Sequence, residues 1–125
     1  MSYDFPIKYK EFFSCNILEA NVGSNCPCGG DGGHGGKTYL KIADGSNTGW
    51  NITIAERDGT EYYFEQPKSI ALELLGDTEN ETFIQLLDFA LKELLMTYLA
   101  ESKKNKFWYD LALFLGPNIE LFLIT

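Results

Sequence analysis

Within Thr38–Ala43, Trp50–Ala55 and Ser69–Leu75 apolar residues recur at every second position, and from Phe83 onward they recur at every third or fourth. A period of two belongs to strands and a period near 3.6 to helices. The chain is therefore bound to combine a set of strands with a helix that follows them. In Thr38–Ala43, Leu40 and Ile42 share one face while Tyr39 and Lys41 share the other. ADGSNTG then reads as a turn. Trp50, Ile52 and Ile54 alternate with Asn51, Thr53 and Ala55, a half-buried strand. Asp58-Gly59 predicts a two-residue hairpin of type I′, because glycine accepts the positive φ that this turn needs. Glu61–Gln66 is the returning strand, closed by Pro67. Ser69–Leu75 carries Ile70, Leu72 and Leu74 in alternation, although its Ala, Leu and Glu favour a helix. It is read as a strand, since Gly76-Asp77 and a separate helix start follow.

That helix start is Thr78-Glu79-Asn80-Glu81, which fits a capping box. Phe83, Leu87, Ala90, Leu94 and Tyr98 make an apolar stripe that Ile84, Leu91 and Leu95 widen. The helix runs to about Lys103, with Lys103, Lys104 and Lys106 suited to its negative end. Upstream, Met1–Ser14 reads as a strand or pinned arm and Cys15–Val22 as a strand. Downstream, Phe107–Leu115 reads as a short helix or strand, and Ile119–Ile124 as a last strand after the turn Gly116-Pro117-Asn118. The fold class predicted is α+β. Residues 1–125 form a single domain, a mostly antiparallel sheet of about five to six strands packed against one long amphipathic helix.

A chain of 125 residues suits one domain. A domain of that size buries roughly two-thirds of the surface its unfolded chain exposes. The net charge of −8 opposes direct binding to nucleic acid, which needs Lys and Arg to displace counterions. It favours a basic partner. MSYDFPIKYK has no apolar core of a signal peptide, and FWYDLALFLGPNIELFLIT is broken by Asp110, Pro117 and Glu120, so no membrane span is predicted. Three cysteines make no disulfide framework and point to a reducing cytoplasm.

Residues 26–38 read CPCGGDGGHGGKT. Six of the eight residues from Gly29 to Gly36 are glycine, and the other two are Asp31 and His34, the one histidine of the chain. The spacing fails a Walker loop: counted back from Gly36-Lys37-Thr38, the first glycine position holds Asp31, and a strand pattern follows where a helix should begin. A looser nest of glycine N–H groups, helped by Lys37, would hold an anion such as a nucleotide. Cys26, Cys28 and His34 offer zinc ligands, though C-x-C is a poor match to zinc knuckles. A Cys–His nucleophile pair needs a folded pocket that a run of glycines does not preorganise, so no enzyme and no cofactor are predicted. A recognition loop presenting Asp31, His34 and Lys37 is the remaining reading beyond a plain connector.

Charge is concentrated in one segment. Glu56–Glu81 holds eight acids (Glu56, Asp58, Glu61, Glu65, Glu73, Asp77, Glu79, Glu81) against Arg57 and Lys68. If hairpin and helix start lie together, this is an acidic face fit for a basic groove, and tyrosine at position 62 or 63 would add hot-spot character.

GGDGGHGGKTYLKIAD and IALELLGDTENETFIQLLDFALKELL together resemble a type of small protein encoded by phages and prophages of low-GC Gram-positive bacteria, marked by a Gly-Gly-Asp-x-Gly-His-Gly loop. The resemblance covers roughly residues 17–95 and carries no catalytic residues. It implies a setting in which small acidic proteins inhibit host systems, anti-CRISPR proteins being the obvious case. The leading reading is thus a non-enzymatic cytoplasmic protein that binds and blocks a basic host protein such as a CRISPR effector. Asp31, His34, Lys37, Glu56, Asp58, Glu61, Tyr63 and Glu65 would meet that partner. A nucleotide-binding protein and a zinc-stabilised interaction module stay open beside it.

Overall fold

The computed structural model describes residues 3–31 and 33–102, and the chain divides into two compact units, Met1–Asn80 and Glu81–Thr125. The first unit holds six strands: β1 (Lys8–Phe13), β2 (Ile17–Ser24), β3 (Lys37–Ser46), β4 (Asn51–Ala55), β5 (Glu61–Glu65) and β6 (Ser69–Leu75). Helix α1 (Asp77–Ser102) begins at the end of that unit. Every pairing is antiparallel, and the class is α+β as the two periods predict. The strands form two sheets rather than one: four strands in the order β1-β2-β3-β6, and the ribbon β4-β5.

The period of two settles which residues share a face. Thr38, Leu40 and Ile42 stand opposite Leu74, Leu72 and Ile70, and on their other side opposite Ser24, Val22 and Ala20. The reverse face carries Tyr39 opposite Glu73 and Lys41 opposite Ala71. An N-terminal arm lies over that face. The Tyr3 ring sits 4.9 Å from Phe5 and 5.0 Å from Tyr39, and its hydroxyl donates to Glu73 Oε2 at 2.5 Å. The Glu73 carboxylate pushes the Tyr3 phenol up to about 12. Phe5 and Ala43 are buried. Gly23 leaves the arm its place, since a Cβ there would stand 2.5 Å from the Pro6 carbonyl oxygen and 2.7 Å from Ile7 Cδ1.

β3 to β6 is one long hairpin interrupted in the middle. Between the pairs Ala43–Ser69 and Asn51–Glu65 stand seven residues on one side (44–50) and three on the other (66–68). The surplus cannot continue a ladder, so the ribbon splits from the sheet. Part of the predicted ADGSNTG turn is strand, because β3 runs on to Ser46. The break is pinned: Trp50 Nε1–H donates to the Pro67 carbonyl at 2.7 Å, Gln66 N–H to the Trp50 carbonyl at 3.0 Å, and the Thr48 hydroxyl to the Ile17 carbonyl at 3.1 Å.

The hairpin tip differs in type from the prediction. Gly59 has φ +95° but Asp58 is not left-handed, which excludes type I′. Gly59 N–H donates to the Glu56 carbonyl at 2.9 Å, and Glu56 N–H to the Thr60 carbonyl at 2.7 Å. This is a three-residue loop, Arg57-Asp58-Gly59, with glycine in the left-handed position that closes it. Asp58 Oδ1 accepts the Thr60 N–H at 2.9 Å, and this bond lowers its carboxyl below the usual range.

α1 starts one residue ahead of the predicted threonine cap: the Gly76 carbonyl accepts the Asn80 N–H at 3.3 Å. In the second unit Leu95 and Leu99 are buried, whereas Leu94, placed on the stripe by its spacing, is 71% exposed. The helix has apolar residues around its circumference, Leu86, Phe89 and Met96 included, so spacing alone does not select the buried side. Asp88 and Lys92 form an ion pair of 3.1 Å one turn apart. Among the described residues no helix is long and apolar enough to cross a membrane. The readings for Lys103, Lys104, Lys106, Phe107–Leu115 and Ile119–Ile124 lie outside the described residues.

Candidate functional site

The glycine-rich stretch joins β2 to β3 and folds around one carboxylate, that of Asp77. Cys28 N–H donates to both Asp77 oxygens, at 2.8 and 3.0 Å. Gly29 N–H reaches Oδ2 at 2.5 Å, Gly30 N–H the same atom at 3.4 Å, and Gly36 N–H reaches Oδ1 at 3.1 Å. These donors, the N–H groups of Cys28 and Gly29 foremost, hold the Asp77 carboxyl down at about 2. The loop is thus an anion nest as its composition suggests, and the anion is its own. The N–H groups of Cys28, Gly29, Gly30 and Gly36 that could face an anionic nucleotide face Asp77 instead.

The remaining bonds lock loop to helix start and strand ends. Asp77 N–H donates to the Gly30 carbonyl at 2.7 Å, Gly33 N–H to the Leu75 carbonyl at 2.9 Å, and Gly76 N–H to the Gly36 carbonyl at 2.8 Å. Gly35 has φ +90°, and a Cβ on it would lie 2.7 Å from Gly30 backbone atoms, so the two chain segments touch only because both are glycine. At the loop's root Asn25 N–H donates to the Lys37 carbonyl at 3.2 Å and Asn25 Oδ1 accepts the Lys37 N–H at 2.8 Å. The peptide bond Cys26-Pro27 is cis.

The predicted ligands and recognition residues of the loop take structural positions. Asp31 Oδ1 accepts the Thr78 N–H at 3.2 Å, satisfying an orphan donor of the helix's first turn, and its carbonyl accepts the His34 N–H at 3.0 Å. The zinc trio does not assemble. Cys26 Sγ lies 3.7 Å from Thr38 Oγ1 and 3.8 Å from the Gly76 carbonyl oxygen, and the Cys28 thiol donates to the Asn25 carbonyl at 3.0 Å. Among the described residues no three His, Cys, Asp or Glu side chains converge as metal ligands. His34 is exposed, as are Asp31 and Lys37.

The acidic residues sit elsewhere. In the ribbon, Glu61, Tyr63 and Glu65 pair with Ala55, Thr53 and Asn51 and share one face; Tyr62 and Phe64 pair with Ile54 and Ile52 on the other. All five residues of β5 are exposed, Tyr63 at 59%. Glu56 and Asp58 lie at the exposed tip, so the hairpin carries four acids against Arg57. β3 and β6 each run between the glycine loop and the ribbon. β3 has ten residues, about 30 Å at strand rise. The eight predicted recognition residues therefore form two groups at opposite ends of the sheet: Asp31, His34 and Lys37 at one, and Glu56, Asp58, Glu61, Tyr63 and Glu65 at the other. The acidic segment likewise does not make one face, because Asp77 turns into the loop and Glu73 receives Tyr3.

The sequence reading missed Asp77. Its signal was present: a glycine run rich in free N–H groups calls for an anion, and Gly76-Asp77 stands at the end of the strand that pairs with the loop's own exit strand. No family, curated relative or solved structure matches this chain.

Proposed function

We propose that the protein is a non-enzymatic inhibitor that docks its β4–β5 hairpin on a basic, nucleic-acid-handling protein in the cytoplasm, a CRISPR effector of a phage host being the leading case. One observation carries this reading: Glu61, Tyr63 and Glu65 stand as an exposed row on one face of a two-stranded ribbon, with Glu56 and Asp58 at its tip. Carboxylates in a row steer the hairpin toward a basic groove, and an exposed tyrosine between them supplies contact area at low entropy cost. Occupying a groove of that kind excludes the nucleic acid that would bind there. The glycine loop supports the scaffold rather than the contact, because its donors and Asp31 are engaged within the fold.

The test is capture of purified host nucleic-acid-binding effectors by the full chain at two salt concentrations. Binding by the native chain, weakened at least tenfold by the double reversal Glu61→Lys, Glu65→Lys, is the expected result. Binding indifferent to that reversal and to salt removes the proposal.

A further inference from the structure

The inner side of the same hairpin presents different chemistry. A groove of about 480 Å³ runs between ribbon and sheet, lined by Ile52, Ile54, Phe64, Pro67, Ile70 and Leu72. Ile54, Phe64 and Leu72 are 53%, 47% and 44% exposed. Ser69, Ile70, Ala71 and Leu72 line it in unbroken succession, so side chains of both parities reach it and the main-chain edge of β6 forms its wall.

Among the described residues that edge has main-chain hydrogen-bonding groups with no partner strand, and their identity follows from the ladder. The bonds Gly76 N–H to Gly36 and Asp44 N–H to Lys68 flank the β3–β6 pairing and place residues 68, 70, 72, 74 and 76 in the pairs bonded to β3. The odd residues then point away from β3. Leu75 shows this directly, since its carbonyl accepts from Gly33 of the glycine loop instead. Ser69, Ala71 and Glu73 carry the rest of the outward N–H and C=O groups, and among the described residues β6 has no strand on that side.

The two edges of the sheet are unlike. β1 reads KYKEFF, and its Lys8, Lys10 and Glu11 are the charged residues that discourage pairing at an edge. β6 reads SIALELL, with Glu73 as its one charge. An edge with one charge and, among the described residues, no covering strand, beside an apolar groove, is what strand addition uses: main-chain bonds give affinity and the groove reads alternate side chains.

We infer that the β6 edge takes an extended segment of the basic partner as an added strand, apolar at alternate residues and carrying Lys or Arg between them. This rests on the proposed function and names the partner element that the hairpin overhangs. The charge of the occupant follows from Glu73 on the edge and from the hairpin's four acids against one base. A second copy of the chain is disfavoured on the same ground, since each copy carries −8.

The probe is the synthetic peptide acetyl-KVRVKVR-amide, titrated into isotope-labelled full-length protein and followed by NMR. Expected are amide shifts and slowed hydrogen exchange at Ser69, Ala71 and Glu73, with methyl shifts at Ile54, Ile70 and Leu72. N-methylation of the peptide along one edge should abolish binding, and along the other edge leave it within threefold. That comparison leaves the protein untouched, so misfolding cannot produce it. The protein variant Ile54→Lys, at an exposed position, should weaken the peptide at least tenfold. Each of four outcomes overturns the inference: no binding at millimolar peptide, equal binding by both N-methylated forms, equal binding by an EVEVEVE peptide, or shifts confined to β1. Concentration-dependent dimerisation that protects β6 amides without peptide also overturns it. If the peptide fails while effector capture still depends on Glu61 and Glu65, the inference falls and the proposed function stands.

Discussion

Asp77 should control the glycine loop, and acid should reveal it. Its carboxylate receives N–H groups from Cys28, Gly29, Gly30 and Gly36, and these hold it at about 2 instead of the usual value near 3.9. A carboxyl lowered on folding stabilises the native state above its ordinary value, and that stabilisation is lost as pH falls through the folded value. The loop should therefore keep its structure down to about pH 3 and loosen near pH 2, some two units below an ordinary aspartate. The assay is NMR of the amides of Cys28, Gly29 and Gly36 from pH 5 to pH 1.5, with thermal melts alongside. Asp77→Asn keeps the shape but replaces one acceptor oxygen by an NH₂ group that faces donors. It should lower the melting temperature at pH 7 and remove the dependence on pH between 4 and 2. An Asp77→Asn protein that melts with the native one, with its loop amides unshifted, would refute the nest as the loop's organiser.

Other outcomes follow from single contacts. Gly35→Ala places a Cβ at φ +90° and 2.7 Å from Gly30 backbone atoms, and should cost about 2 kcal/mol in urea unfolding. Gly23→Ala should displace the N-terminal arm; the measurable sign is loss of the high Tyr3 phenol value of about 12 toward the ordinary 10.0 in an ultraviolet titration. Trp50→Phe removes the Nε1–H bond to Pro67 at the hairpin root and should cost about 1 kcal/mol by chemical denaturation. Leu99→Ala, at a side chain 3% exposed, should cost about 2–5 kcal/mol, whereas Leu94→Ala, 71% exposed, should change unfolding little.

The alternating runs specified their own strands. Ser69–Leu75 is the clearest instance: helix-favouring residues stood in a strand period, the period prevailed, and the observed bounds match. Local chemistry also placed the hairpin at Asp58-Gly59 and the helix start within one residue of Thr78, because turns and helix starts depend on a few adjacent residues. The tip's type was not legible, since one positive φ or two depends on how the flanking strands twist and pair.

Everything that joins residues distant in the chain was decided by tertiary structure. The glycine run announced a cradle for an anion, yet nothing in residues 26–38 names Asp77, which reaches them only because β6 pairs with β3 and ends beside the loop. That pairing also separates the loop from the acidic hairpin by the length of a strand, although their residues were equally eligible for one surface. Sequence periodicity reports which side chains share a face of one element. The register of long-range pairing decides which elements meet, and it is a property of the whole ladder rather than of any segment in it.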